Sequence, residues 1–280
     1  MPVFRRAATA LVLAGASAGV GCARLGARPS QLPPALPAAS PDGASRELER
    51  APPLSLASED DAVVRVVADG VTCTGTLIEE DQVLTAHHCV SARDARGDML
   101  PRDVEPERLR VELGGDYLPW GEVRVRAVVA PACGYAANRG DIAILVLERR
   151  LTGVATRAPA LEHEPRAGEE IRPVGFGRCA RSADGIRRRQ RLGGPIGQVD
   201  ATRFRVEASI CPGDSGGPAL DLETGAVVGV ISRSVMDTTE QTTGPSVFTR
   251  LDRWRPVFAA AKLVSEGASL AELPPIAGCE

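Results

Sequence analysis

The stretch Ile210-Cys211-Pro212-Gly213-Asp214-Ser215-Gly216-Gly217-Pro218 decides how this chain is read. It sets a serine between glycines and behind an aspartate. Small neighbours let backbone N–H groups approach a substrate carbonyl, and glycine permits the sharp turn that presents a hydroxyl. A serine hydroxyl is a weak nucleophile on its own. It needs an imidazole to take its proton and an acid to orient that imidazole.

The chain has three histidines, His87, His88 and His163, and none follows Ser215. Gly213, Ser215 and Gly217 satisfy the Gly-x-Ser-x-Gly elbow of the α/β-hydrolases, but that fold needs its histidine after the serine. An Asp–His–Ser order would rest on His163, in Leu161-Glu162-His163-Glu164-Pro165, which reads as a polar loop. The order that remains is His–Asp–Ser. It is met by Leu84-Thr85-Ala86-His87-His88-Cys89, then Gly140-Asp141-Ile142-Ala143-Ile144-Leu145-Val146-Leu147, then Ser215. Arg139-Gly140-Asp141 also spells an adhesion tripeptide, but such tripeptides recur by chance and this aspartate opens an apolar strand.

These motifs resemble those of the chymotrypsin/trypsin-like serine proteases: Ala-Ala-His-Cys, Asp-Ile-Ala-Leu before an apolar strand, and Gly-Asp-Ser-Gly-Gly-Pro. The resemblance covers roughly residues 59–262 and suggests an exported member of bacterial type. It implies His88 as base, Asp141 as orienting acid and Ser215 as nucleophile. The N–H groups of Gly213 and Ser215 would form the oxyanion hole, and Ser232 would support the aspartate and line the cleft. His87 stands where the family usually has alanine and reads as a local side chain. The implied reaction is hydrolysis of protein or peptide substrates through an acyl-enzyme. No cofactor is expected, and the chain carries no metal-ligand spacing or phosphate loop. The alternative is a catalytically silent exported binding module on a protease fold.

The same register addresses specificity. The residue six before the nucleophile, which floors the primary pocket in the family, is Ser209 rather than an aspartate. Wall positions that are usually glycine are Ser234 and Ser246, which narrows the pocket. Cleavage after small or medium uncharged residues is therefore expected.

At 280 residues, with abundant glycine and proline and few aromatics, the chain reads as all-β. Ala62-Val63-Val64-Arg65-Val66-Val67 and Ala226-Val227-Val228-Gly229-Val230-Ile231 are short β-branched runs separated by turn residues. The resemblance implies two six-stranded antiparallel β-barrels, at about 60–155 and 165–250, within a protease domain spanning 59–265. Leu251 to Leu263 has helical spacing and matches the family's C-terminal helix; 266–280 is a tail. A net charge of −3 argues against a nucleic-acid partner. The one basic run, Arg187-Arg188-Arg189-Gln190-Arg191, reads as a solvated loop.

Residues 1–22 read as an export signal: Arg5-Arg6, an apolar small-residue run from Ala7 to Gly21, then Cys22. Ala16-Ser17-Ala18 suits ordinary signal peptidase. Val20-Gly21-Cys22 resembles a lipoprotein box, with Gly19 where leucine is usual. Lipidation of Cys22 would anchor the protein at a bacterial membrane; without it the protein is secreted. Residues 23–58, rich in proline, alanine and serine, read as a tether or propeptide. By the family resemblance Cys73 pairs with Cys89. Cys211 has two candidates, Cys179 and the downstream Cys279, and a Cys179–Cys211 pair leaves Cys133 with Cys279. Three pairs leave Cys22 over, which lipidation would consume.

One departure from the family stands out. Its zymogens are cut before Ile-Val-Gly-Gly, and the new ammonium pairs with the aspartate before the serine, here Asp214. No such tetrapeptide precedes Cys73. A buried carboxylate without a cation is costly, so an unusual N-terminus or an internal arginine must serve, and Arg172 is the candidate nearest Val174.

Overall fold

Short β-branched runs broken by glycine and proline give strands, and the computed structural model of the protein contains fifteen of them among the described residues. Those residues are 58–115, 118–132, 140–179, 186–238 and 242–276. The expectations for the export signal, Cys22, the tether to residue 57, Cys133 and Cys279 fall outside them.

The first barrel is built from β1 (Val63–Ala68), β2 (Val71–Glu79) and β3 (Gln82–Thr85). A small hairpin of β4 (Ser91–Arg93) and β5 (Met99–Asp103) follows. Then come β6 (Leu109–Leu113), β7 (Gly121–Val129) and β8 (Ala143–Leu147). The ring runs β1-β2-β3-β8-β7-β6 and closes on itself. β7 displays the alternation that half-burial demands: Val123 and Val125 face inward while Glu122, Arg124 and Arg126 face out. Both faces of β1 are covered, so its Arg65 is buried too and pairs with Glu112, its cross-strand partner on β6.

The second barrel comprises β9 (Glu170–Gly175), β11 (Gly194–Val199), β12 (Arg203–Val206), β13 (Pro218–Asp221), β14 (Val227–Arg233) and β15 (Ser246–Arg250). The order β9-β11-β12-β15-β14-β13 is closed by pairing of β13 with β9, and β10 (Arg189–Gln190) adds to the outer edge of β9. Its centre is held by Phe204 and Phe248, paired across β12 and β15 with stacked rings 5.2 Å apart. The all-β, two-barrel architecture implied by the sequence is thus the one observed. The helix, α1, spans Arg255–Ser265, shorter at its start than the expected Leu251. Pro256 sits in its first turn, where a missing N–H costs nothing, so the helix begins there.

Candidate active site

Each proposed catalytic side chain stands just outside a strand end, where rigid pairing fixes the backbone and a loop frees the side chain. His88 lies in the single turn of 3-10 helix His87–Cys89 that follows β3. Asp141 lies just before β8, with Ile142 between, and Ser215 lies in the tight turn leading into β13. His88 and Ser215 face a cleft of about 480 Å³ whose walls include Met99, Pro212, Ser232, Arg233, Ser234 and Met236.

The His88 ring is oriented chiefly by Asp141, with the Cys89 sulfur 3.7 Å from Nε2 as a weaker contact. Its Nδ1 lies 2.9 Å from Oδ2 and 3.1 Å from Oδ1, while the His88 N–H donates to Oδ1 at 3.0 Å. With Nδ1 held on the carboxylate, Nε2 is the nitrogen left to exchange a proton. Ser232 donates its hydroxyl to Asp141 Oδ2 at 2.5 Å, and Thr249 bonds the Asp141 carbonyl at 3.0 Å. Burial pushes the Asp141 carboxyl up, but the His88 charge and the bonds from His88 and Ser232 hold it below the ordinary carboxylate value.

Around Ser215 the backbone carbonyls are tied down one after another. Pro212 C=O accepts from Arg178 N–H at 2.9 Å, Gly213 C=O from the Thr74 hydroxyl at 2.7 Å, and Asp214 C=O from Gly217 N–H at 2.9 Å. In a trans peptide the N–H points opposite to the C=O. Fixing the Pro212 and Asp214 carbonyls therefore aims the N–H groups of Gly213 and Ser215 the other way, and neither makes a hydrogen bond among the described residues. Gly213 has φ 98° and Gly216 φ 83°, so both need glycine. A Cβ on Gly216 would also lie 2.2 Å from both Thr74 O and Thr85 Oγ1.

Asp214 is fully buried and points away from the cleft into a cradle made by the end of β9. It accepts from Gly177 N–H at 2.7 Å and Cys211 N–H at 2.9 Å. A Cβ on Gly175 would fall 2.3 Å from its Oδ1, and one on Gly177 2.5 Å from its Cγ. The cation that meets it is Arg191, with Nη2 2.9 Å from Oδ1 and Nε 2.7 Å from Oδ2. Burial is the largest influence on the Asp214 carboxyl and raises it above the ordinary value; Arg191 and the two amides act against the rise.

Two expectations are corrected here. Arg172 is not the partner of Asp214. Side chains alternate along a strand, and positions 175 and 177 are the ones aimed at Asp214, which turns Arg172 to the opposite face. The basic run is also not a solvated loop. β10 pairs Arg189 with Gly175 and Gln190 with Val174, which carries Arg191 into the Asp214 cradle. Arg188 bonds Asp61 at 2.7 Å, with both side chains mostly covered. Nothing in the run's composition separates these two arginines from their exposed neighbour Arg187. Thr74 carries no sequence signal either, because a threonine in a β-branched strand looks like an ordinary strand residue.

The remaining expected residues are placed as follows. Ser234 donates to Ser246 at 2.7 Å, and the fully buried Ser246 donates to the Ala208 carbonyl at 3.1 Å. Ser209 is exposed and outside the cleft lining, its N–H on the Leu192 carbonyl. His87 is buried and its Nε2 lies 2.6 Å from Asp103, consistent with a local role; His163 pairs with Glu169 at the surface. Cys73 is joined to Cys89, and Cys179 to Cys211, which decides between the two candidates for Cys211. Cys73, His88 and Cys89 bring ligand-type atoms within 4.8 Å of one another, but the disulfide leaves no thiolate to bind a metal.

Comparison with known proteins gives a family model described as Trypsin, which matches residues 57–257. The Homo sapiens peroxisomal leader peptide-processing protease is 29% identical over 186 residues, covering 66% of this chain but 29% of that protein's length. The chain therefore spans less than a third of that relative. Among solved structures, a Glu endopeptidase in complex with MPD aligns with TM-score 0.61 and 20% identity, covering 74% of this chain and 93% of the other. A scabies mite inactivated protease paralogue aligns with TM-score 0.59 and 17% identity, covering 75% and 95%. At such identities the two structures speak to the fold alone.

Proposed function

The chain belongs to the trypsin family of serine proteases, and from that membership we propose that it is an active endopeptidase working through an acyl-enzyme. Ser215 attacks the scissile carbonyl and His88 Nε2 takes its proton, then returns it to the leaving amine. Asp141 holds the imidazole in the required tautomer and stabilises the imidazolium. The N–H groups of Gly213 and Ser215 receive the oxyanion, each contributing on the order of 3 kcal/mol to the transition state. The observation that carries the reading is the double contact of Asp141 with the His88 ring and backbone, backed by Ser232, at the cleft that also holds Ser215.

The substrates of the family are proteins or peptides. We place primary specificity at small or medium uncharged residues, with Ser234 on the cleft wall, its hydroxyl tied to the buried Ser246 behind it; Ser209, exposed and outside the cleft, takes no part. Arg191 supplies the cation for Asp214 from within the chain, so the uncut chain is competent. Disulfides persist in oxidising compartments, and the two present suit an exported protein. We extend this to a bacterial envelope lipoprotein: signal 1–22, lipidated Cys22, tether 23–58, protease domain 59–265 and tail 266–280. Palmitate labelling abolished by Cys22→Ala supports the anchor; unchanged export of an unlabelled protein removes it.

Covalent labelling by a fluorophosphonate probe tests the enzymatic reading. Wild type is expected to be labelled and Ser215→Ala not. A folded wild type that resists the probe would instead be a silent binding module.

A further inference from the structure

We infer that Thr74 is a positioning residue for the nucleophile turn, its hydroxyl reaching from the first barrel to set the plane of the Gly213–Asp214 peptide. The inference rests on reading Ser215 as the nucleophile and adds a part to that machinery.

Thr74 lies within β2 and is fully buried. Its hydroxyl uses both of its capacities: it donates to Gly213 C=O at 2.7 Å and accepts from Phe176 N–H at 2.9 Å. Its own N–H donates to Ser215 C=O at 2.8 Å, and its C=O accepts from the Thr85 hydroxyl at 2.8 Å. One residue thus grips the carbonyls on both sides of Asp214 and Ser215, and also the strand end from which Gly177 bonds Asp214. Burial alone does not impose this. Thr76, next on the same face of β2 and equally buried, has a hydroxyl with no hydrogen-bond partner.

The hydroxyl matters because of what the Gly213–Asp214 peptide does when it is lost. Its N–H is held by the Cys211 carbonyl at 3.0 Å, and its C=O by Thr74. Without Thr74 Oγ1 a partly buried carbonyl is left unpaired, which is costly. The easiest relief is rotation of that peptide about Gly213, which has no Cβ to resist it. Such a rotation swings the neighbouring N–H groups of Gly213 and Ser215 out of convergence. Substrate binding along the rest of the cleft is untouched, so the loss appears in the chemical step.

Steady-state kinetics on a peptide substrate, with thermal melting, test this in Thr74→Val, Thr74→Ser and Thr85→Val. Thr74→Val keeps the shape and removes the hydroxyl. Its kcat is expected to fall by about 10-fold or more with KM within about threefold of wild type. Thr74→Ser restores the hydroxyl and is expected within about threefold of wild-type kcat. Thr85→Val loses a buried hydrogen bond to Thr74 without touching the turn carbonyls, so melting drops while kcat stays within about threefold. The inference is overturned if Thr74→Val keeps wild-type kcat, or if Thr85→Val loses as much kcat as Thr74→Val. Should Thr74→Val fail to fold, Thr74→Ser and Thr74→Ala decide: equal kcat in the two overturns it. A labelled, active wild type separates failure here from failure of the protease reading, which an unlabelled wild type would bring down together with this inference.

Discussion

Arg191 closes on Asp214 at the back of the nucleophile turn, guanidinium against carboxylate, with 9% and 0% of their side chains exposed. The start of the described chain is engaged elsewhere: Asp61 with Arg188, and Asp60 with Gln190 at 3.1 Å. Among the described residues the charge of Asp214 is therefore met by Arg191.

Removing the guanidinium strands a buried charge. Arg191→Met is expected to cost about 3–5 kcal/mol of stability in a urea titration, and to lower turnover because the Gly213–Ser215 backbone loses its anchor. Adding Asp214→Asn removes the stranded charge and should recover part of the stability, a coupling a double-mutant cycle reads directly. Uncut protein and protein trimmed to begin at Ser58 are expected to turn over at equal rates. A burst of activity on trimming would sink the idea of an internal cation.

Asp141→Asn keeps the shape of the site but not its charge, and a drop in kcat of about 10⁴ is expected from the wrong imidazole tautomer. Stability carries a second signature. A carboxyl whose folded pKa is depressed stabilises the fold above its unfolded value, about 3.9, and loses that contribution as pH falls through the lower folded value. Melting temperatures recorded downward from about pH 5 should fall more steeply for wild type than for Asp141→Asn.

Gly177→Ala puts a methyl 2.5–2.6 Å from the Asp214 carboxylate carbon and both oxygens. The carboxylate must shift, and with it Arg191 and the turn. The expected result is a loss of about 1–3 kcal/mol together with a fall in kcat. Gly244→Ala, where no atom stands within 4 Å of the added Cβ, serves as the control in the same melting and kinetic assays.

Pocket shape is tested by a peptide-library scan. Wild type should cleave after small or medium uncharged residues, and Ser234→Gly should extend the range towards larger ones, gaining roughly 10-fold for an aromatic residue. Dominant wild-type cleavage after arginine or lysine would rule this specificity out.

The all-β class and the His88, Asp141 and Ser215 motifs are legible in the sequence because each is written locally, and the two-barrel arrangement follows from the family resemblance those motifs carry. A histidine beside a disulfide cysteine, an aspartate opening an apolar strand and a serine among glycines are contiguous motifs. The Asp214 partner was not legible, since it depends on which face of β9 a side chain occupies and on a two-residue strand too short to leave a pattern. Arg172 stands near Val174 in sequence but on the wrong face; Arg191 lies farther along the chain and on the right side. Thr74 was hidden for a related reason. Its partners, Phe176 and Gly213, lie 102 and 139 residues away, and nothing in Thr72-Cys73-Thr74-Gly75 announces them.

The support of Asp141 also sets an order in time. Ser232 and Thr249, which hold its carboxylate and carbonyl, follow it by 91 and 108 residues. A chain emerging N-terminus first from the ribosome has His88 and Asp141 long before it has these two hydroxyls. Until β15 docks, the acid lacks its props and the serine its setting. The site is therefore complete only once the second barrel has closed on the first.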